Sequence, residues 1–162
     1  MRNLCTILLV SLVAYTYSQT TLVSWNFTDM NATADGGTAP NLSQVISTNS
    51  TGSLSFPAGP SGTCSQYILN SGWDNGSNSK YWTFGYVSSG FNTLSINFSQ
   101  RSSGTGPRDF KVMYSTTSAS SGFVDVAGAT YMVNTSATTC TDFSFSLPSD
   151  CDDKANVWIR II

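Results

Sequence analysis

Apolar and polar positions alternate with a period of two along much of this chain. Over residues 91–99, which read as one strand, Leu94, Ile96 and Phe98 share one phase, and Ser95, Asn97 and Ser99 share the other. Over residues 110–114, Phe110, Val112 and Tyr114 alternate with Lys111 and Met113. Successive side chains leave opposite faces of a pleated strand, so this period is that of a half-buried β-strand. Between the two strands, SQRSSGTGPRD combines glycines, a proline and small hydroxyl residues, each a turn former for its own reason. Gly104 and Gly106 in this loop are expected to supply backbone conformations denied to larger residues.

The same alternation predicts strands over residues 22–28, where Val23, Trp25 and Phe27 oppose Ser24 and Asn26, and over residues 80–87, where Trp82, Phe84 and Tyr86 share a face. Shorter apolar runs predict strands at 45–46, 54–56, 67–69, 123–126, 131–133, 143–147 and 157–162. Residues 29–53 hold Gly36, Gly37 and Pro40 and read mostly as loop, and residues 115–122 (STTSASSG) read as a hairpin loop rather than a domain boundary. No stretch has helical periodicity. Many short strands separated by turns give an all-β chain. Irregular strand lengths favour a two-sheet antiparallel sandwich over a closed barrel. Leu94, Ile96, Phe98, Phe110, Val112 and Tyr114 are expected in its core, with Trp25, Trp82, Phe84 and Tyr86.

The ends of the chain carry two further expectations. Residues 1–18 read as an export signal: Arg2 is followed by the apolar run LCTILLVSLVA, and small residues Thr16 and Ser18 place cleavage before Gln19. The run is shorter than the roughly 20 residues that span a bilayer, and no later segment is long enough, so no membrane span is expected after cleavage. That leaves one sandwich domain over residues 19–162. The sequence stops in the apolar run VWIRII without a turn or polar cap, which predicts a sandwich lacking its last strand.

Cys64, Cys140 and Cys151 follow the signal, and an exported chain meets oxidising conditions, so one disulfide and one thiol are expected. Cys140–Cys151 is the nearest pair but an awkward one. A straight strand from Cys140 to Leu147 runs about 23 Å, and the return to Cys151 recovers at most about 14 Å. The remaining distance exceeds the roughly 7 Å limit between bridged Cα atoms. Cys64 is therefore expected to pair with one of the other two.

Composition narrows the chemistry. Charged residues make up 10% of the chain, aromatics 12%, and the net charge is −2. The basic residues form no stripe, so nucleic acid is not an expected partner. With no histidine, Ser-His-Asp and Cys-His catalysis are impossible. All acidic residues are aspartates and lie mostly in loops, which argues against the paired carboxylates of glycoside hydrolysis. No enzyme activity is expected, and no cofactor. Asp150, Asp152 and Asp153 have the oxygen chemistry of a structural calcium site, but their spacing matches no calcium loop and reads as a solvated acidic turn.

Several segments carry a family resemblance. Gly72-Trp73, Tyr81-Trp82, the loop Gln100 to Arg108 and the run Asn156 to Ile161, within NSGWDNGSNSKYWTFGYVSSGFNTLSINFSQRSSGTGPRDFKVMYST and LPSDCDDKANVWIRI, resemble a jelly-roll-like β-sandwich module of secreted and surface bacterial proteins. Such modules accompany extracellular hydrolases, nucleases and adhesins. The resemblance implies a fold and a secreted setting, not an activity. One departure is the count of N-x-S/T sequons, at Asn26, Asn31, Asn41, Asn49, Asn75, Asn97 and Asn134. With 12 asparagines and 47 serines and threonines, chance gives roughly 3 or 4. Several of these sites are expected to be glycosylated if the host is a eukaryote.

Aromatic residues out of phase with the core are the ligand candidates, because an exposed ring can stack on a sugar face while polar neighbours take the hydroxyls. These are Trp73, which could equally plug the end of the sandwich, Tyr81 and Trp158. Arg101 and Arg108 flank the glycine-rich loop, and their guanidinium forks suit carboxylates or sulfated sugars; alternatively they clamp that loop. The expectation is a secreted, non-catalytic module that binds a polysaccharide, surface glycan or other surface component. Two alternatives are a structural subunit of a matrix, coat or filament that self-associates through sheet edges, and an accessory domain of a larger secreted hydrolase.

Overall fold

The computed structural model describes residues 19–59, 64–135 and 139–162; the expected export signal lies outside them. The strands are β1 (Val23–Ser24), β2 (Gly36–Gly37), β3 (Ser47–Thr48), β4 (Leu54–Ser55), β5 (Leu69–Asn70), β6 (Trp82–Tyr86), β7 (Ser95–Gln100), β8 (Asp109–Ser115), β9 (Val124–Met132), β10 (Thr141–Ser146) and β11 (Val157–Ile161). Two single turns of 3-10 helix, Ala39–Asn41 and Ser149–Cys151, complete the elements. Among the described residues no helix is long and apolar enough to cross a membrane. The fold is all-β and antiparallel.

The largest sheet has five strands in the order β3-β6-β11-β8-β9. β11 is central, pairing β6 through Ile159↔Phe84 and β8 through Ile159↔Tyr114. On one face of this sheet Tyr86, Phe110, Val112, Tyr114, Val157 and Ile159 are buried, as the alternation requires. β7 and β10 form a separate two-stranded ribbon, with Phe98↔Phe143 and Ile96↔Phe145 in register. The ribbon lays Leu94, Ile96, Phe98 and Phe145 on the buried face of the sheet, where they stay half-buried. Tyr131 of β9 joins the layers: its ring lies 4.3 Å from Phe143 and 5.6 Å from Phe98, and stacks on Phe110 at 5.9 Å. This arrangement fits a β-sandwich of unequal layers. The loop 101–108 carries the chain from the ribbon to the sheet, because β7 and β8 belong to different layers.

Four expectations need revision. The strand expected at 22–28 shrinks to β1, because the Asp35 carboxylate takes the backbone N–H groups of Asn26 (2.6 Å) and Phe27 (3.1 Å) and Phe27 turns left-handed at φ 59°. The strand expected from residue 91 begins at Ser95, behind left-handed Thr93 at φ 55°. The segments expected at 123–126 and 131–133 fall largely within the single strand β9. Its pairing with β8 jumps from Lys111↔Thr130 to Met113↔Asp125, so several β9 residues bulge opposite Val112, with Gly128 at φ 74°. Finally, Gly104 and Gly106 do not adopt the left-handed backbone expected of them, and a side chain on Gly104 would meet nothing within 4 Å. The loop is closed instead by the Gly106 N–H, which donates to the Ser103 carbonyl at 3.1 Å. Gly106 is small for want of space, since a Cβ there would collide with Ser102 Oγ.

The Cys64–Cys140 disulfide joins the 64–70 segment to the start of β10, and Cys151 is a buried free thiol. This agrees with the geometric argument against Cys140–Cys151.

Candidate functional site

The face of the five-stranded sheet turned away from the ribbon carries the chemistry. β11 alternates Val157, Ile159 and Ile161 inward with Trp158 and Arg160 outward. Trp158 stands opposite Gly85 and Arg160 opposite Thr83 on β6. A Cβ on Gly85 would lie 3.2 Å from both Trp158 Nε1 and Gln44 Oε1. Glycine is therefore what lets the indole cover the neighbouring strand and brings the Gln44 amide beside it. A depression of 210 Å³ opens here, lined by Gln44, Val45, Ser47, Thr83, Gly85 and Trp158 among others. It is smaller than the roughly 300–1,000 Å³ of pockets that enclose a drug-sized ligand. Its lining carries no charged side chain.

Arg160 borders this depression in a fixed pose. Its guanidinium lies 3.9 Å from the Tyr81 ring centre and 3.7 Å from that of Phe123, and donates to the Ala119 carbonyl at 3.0 Å. Two rings and one hydrogen bond hold a planar cation in place, while its buried Nε has no hydrogen-bond partner among the described residues. Tyr81 is itself positioned by Asn49, whose Oδ1 accepts the Tyr81 N–H at 2.8 Å while Nδ2 donates to the Ser79 carbonyl at 2.7 Å.

The other expected ligand residues sit elsewhere. Trp73 packs inward on Trp82 (5.8 Å) and Phe110 (6.2 Å), and its Nε1 donates to the Asn70 carbonyl at 3.1 Å. This is the end plug of the core. Arg101 donates to the Tyr67 hydroxyl at 2.6 Å and lies 4.9 Å over that ring. Arg108 donates to Met132 Sδ. Both arginines thus clamp the loop ends to neighbouring segments, although not to Asp109. Tyr81 and Trp158 are brought to one face, joined by Arg160. Arg160, Phe123, Gln44 and Gly85 were missed by sequence reasoning. Arg160 was within reach, since it is two residues from Trp158 on the same strand and must share its face.

The acidic turn serves its own chain. Asp150 accepts from the Tyr114 hydroxyl at 2.9 Å, and Asp153 takes the Gly90 N–H at 2.7 Å. Among the described residues no three His, Cys, Asp or Glu side chains are placed to hold a metal. Burial pushes the Cys151 thiol up to about 11. The Tyr86 hydroxyl beside it is also raised, by burial first and by Cys151 second. A thiol held protonated in this way is a poor nucleophile.

The sequons differ in setting. Asn41 is fully buried: Nδ2 donates to Thr38 Oγ1 (2.9 Å) and the Val87 carbonyl (3.0 Å), and Oδ1 accepts the Val87 N–H (2.7 Å). It offers no surface for a glycan in the folded chain, so the expectation of a modification site there is corrected. Asn26, Asn31, Asn49, Asn75, Asn97 and Asn134 are exposed.

Compared with family models, curated proteins and solved structures, the chain matches none of them.

Proposed function

We propose that the chain is a secreted, non-catalytic β-sandwich module that binds carbohydrate through the outer face of its five-stranded sheet. Trp158 supplies the stacking platform, Gln44 and Ser47 the hydrogen-bonding groups, and Arg160 a pre-set cation at the rim. The observation that carries this reading is the Trp158 indole covering Gly85 beside the Gln44 amide, which makes no side-chain hydrogen bond among the described residues, in a depression whose own lining is uncharged. Aromatic area with a few polar groups is what the two faces of a sugar ring demand. The small volume suits a single terminal sugar rather than a buried oligosaccharide. The resemblance to accessory modules supports a secreted setting, and the disulfide is of the kind kept in oxidising compartments.

Self-association through sheet edges is the weaker reading. The long edge strand β9 is interrupted by its bulge, a feature that spoils a template for further strands. Glycan-array screening followed by titration of tryptophan fluorescence tests the proposal. Trp158→Ala should lower affinity at least about 10-fold, the scale of one lost stacking contact, while the fold melts as before. Wild-type protein that binds no glycan, or a Trp158→Ala variant that binds undiminished, would defeat it.

A further inference from the structure

A second surface, remote from Trp158, combines a modification motif with a place to receive the group attached. On the outward face of the β7–β10 ribbon, Asn97 stands opposite Ser144, and Ser99 stands opposite Asp142. All four side chains are exposed. They line a shallow depression of 410 Å³ together with Phe98 and Phe143. Asn97-Phe98-Ser99 is a sequon, and the Asn97 amide makes no hydrogen bond among the described residues. By contrast, Asn31, Asn41 and Asn49 all donate from Nδ2 to partners in their own surroundings. Ser99 Oγ donates to Asp142 Oδ1 at 2.5 Å. Asp142 lines the depression, and its second carboxylate oxygen accepts no hydrogen bond among the described residues.

We propose that Asn97 carries an N-linked glycan whose first sugar rests in this depression, against Ser144 and Asp142. Attachment forms a bond between Asn97 Nδ2 and the anomeric carbon of an N-acetylhexosamine supplied by a polyprenyl-diphosphate-linked oligosaccharide. The amide loses one proton, and the polyprenyl diphosphate leaves with the electrons of the broken C–O bond. Directly opposed residues on paired strands have Cβ atoms about 5 Å apart, so a sugar on Asn97 reaches the Ser144 hydroxyl and, diagonally, Asp142. The Asp142 carboxylate accepts the acetamido N–H, and the sugar ring covers the apolar part of the depression. The attached sugar thereby ties the two strands of the ribbon together. The inference goes beyond the carbohydrate-binding reading and depends on it only for export.

The test expresses the full chain, residues 1–18 included, in a eukaryotic secretory cell. Site occupancy is read by mass after enzymatic glycan removal in heavy-oxygen water. Asn97 should be occupied and Asn41 unmodified. An exported product with Asn97 unmodified overturns the proposal; a product retained in the cytosol instead refutes export. The seat of the first sugar is tested by an endoglycosidase that leaves a single N-acetylglucosamine. The trimmed protein should keep the melting temperature of the full glycoform, whereas Asn97→Gln should melt lower by about 3 °C, the scale of one hydrogen bond. Wild-type chain and Asn97→Gln, both made unglycosylated in a bacterial periplasm, should melt together. Equal melting of trimmed protein and Asn97→Gln overturns the seat.

Discussion

Replacing Asn41 with alanine should unfold the protein many degrees early, although the residue lies in a polar loop and reads as a modification site. Its amide closes a clamp on the Val87 backbone, taking both the N–H and the carbonyl just beyond β6, and adds a bond to Thr38. Three hydrogen bonds at about 1 kcal/mol each set a floor near 3 kcal/mol. Alanine also leaves a void and partners with no water to replace the amide, since Asn41 is 0% exposed, which adds about 1 kcal/mol or more. A total of roughly 3–5 kcal/mol corresponds to a fall of about 6–20 °C for a chain of this size. Asn49 is the internal control. It makes the same two-sided clamp at the other end of β6, on Tyr81 and Ser79, but from an exposed position. Water can replace an exposed amide, so Asn49→Ala should cost under about 1.5 kcal/mol. Thermal and urea melts of both variants, followed by tryptophan fluorescence, measure the two costs. Equal losses for Asn41→Ala and Asn49→Ala, or a loss below about 1 kcal/mol for Asn41→Ala, would refute the argument that burial sets the size of the effect.

Three further outcomes are expected. Cys64 and Cys140 lie 76 positions apart, so opening their bridge in a Cys64→Ala/Cys140→Ala variant releases loop entropy worth about 4.5 kcal/mol; calorimetry should show a melting temperature about 9–18 °C lower, and a shift under about 3 °C contradicts it. The Cys151 thiol is raised to about 11, Tyr86 and Tyr131 are raised by burial, and Tyr114 by its hydrogen bond to Asp150. The unfolded chain therefore loses these protons first as pH rises, so stability should be full below about pH 9 and decline from there towards pH 11 and beyond; a melting temperature flat to pH 11 is the refuting result, and Cys151 should resist thiol reagents until the protein unfolds. Gly104→Val should leave the melting temperature within about 2 °C, as expected for a surface substitution into open space, whereas Gly85→Val should displace Trp158 and lower the glycan affinity proposed for that face without unfolding the core.

Alternation gave the core and hid the ends of strands. Phe110, Val112 and Tyr114 are buried as their phase demands, and Ile96 and Phe98 meet them from the ribbon. Which strands pair was not legible, because alternation fixes a face and says nothing of neighbours: β7 and β8 flank one loop and lie in different layers. Strand ends were decided by side chains acting on backbone, such as Asp35 capturing two N–H groups ahead of β2. The small residues Ala127, Gly128 and Ala129 interrupt the apolar pattern and split one strand into two expected ones, yet pairing with β8 spans them by way of the bulge. At the candidate site, Trp158 and Tyr81 were identified by phase alone. The face of Arg160 was legible from its spacing to Trp158, but its fixed pose was not, because that comes from Phe123, a residue from another hairpin that no local pattern associates with β11.

The central position of β11 sets the kinetics of folding. The sheet closes through pairs such as Trp82–Ile161 on one side and Val112–Ile161 on the other. Neither joins sequence neighbours, so the loop-closure entropy must be met before either ladder returns any stabilisation. The β8–β9 hairpin is the one local piece of this sheet among the described residues, and it can form in microseconds. The rest must wait on a search through distant contacts, which places folding in the millisecond-to-second range of β-sandwiches rather than that of helical bundles. During that wait the apolar faces of its strands and their unpaired edges stay open to solvent and to other chains.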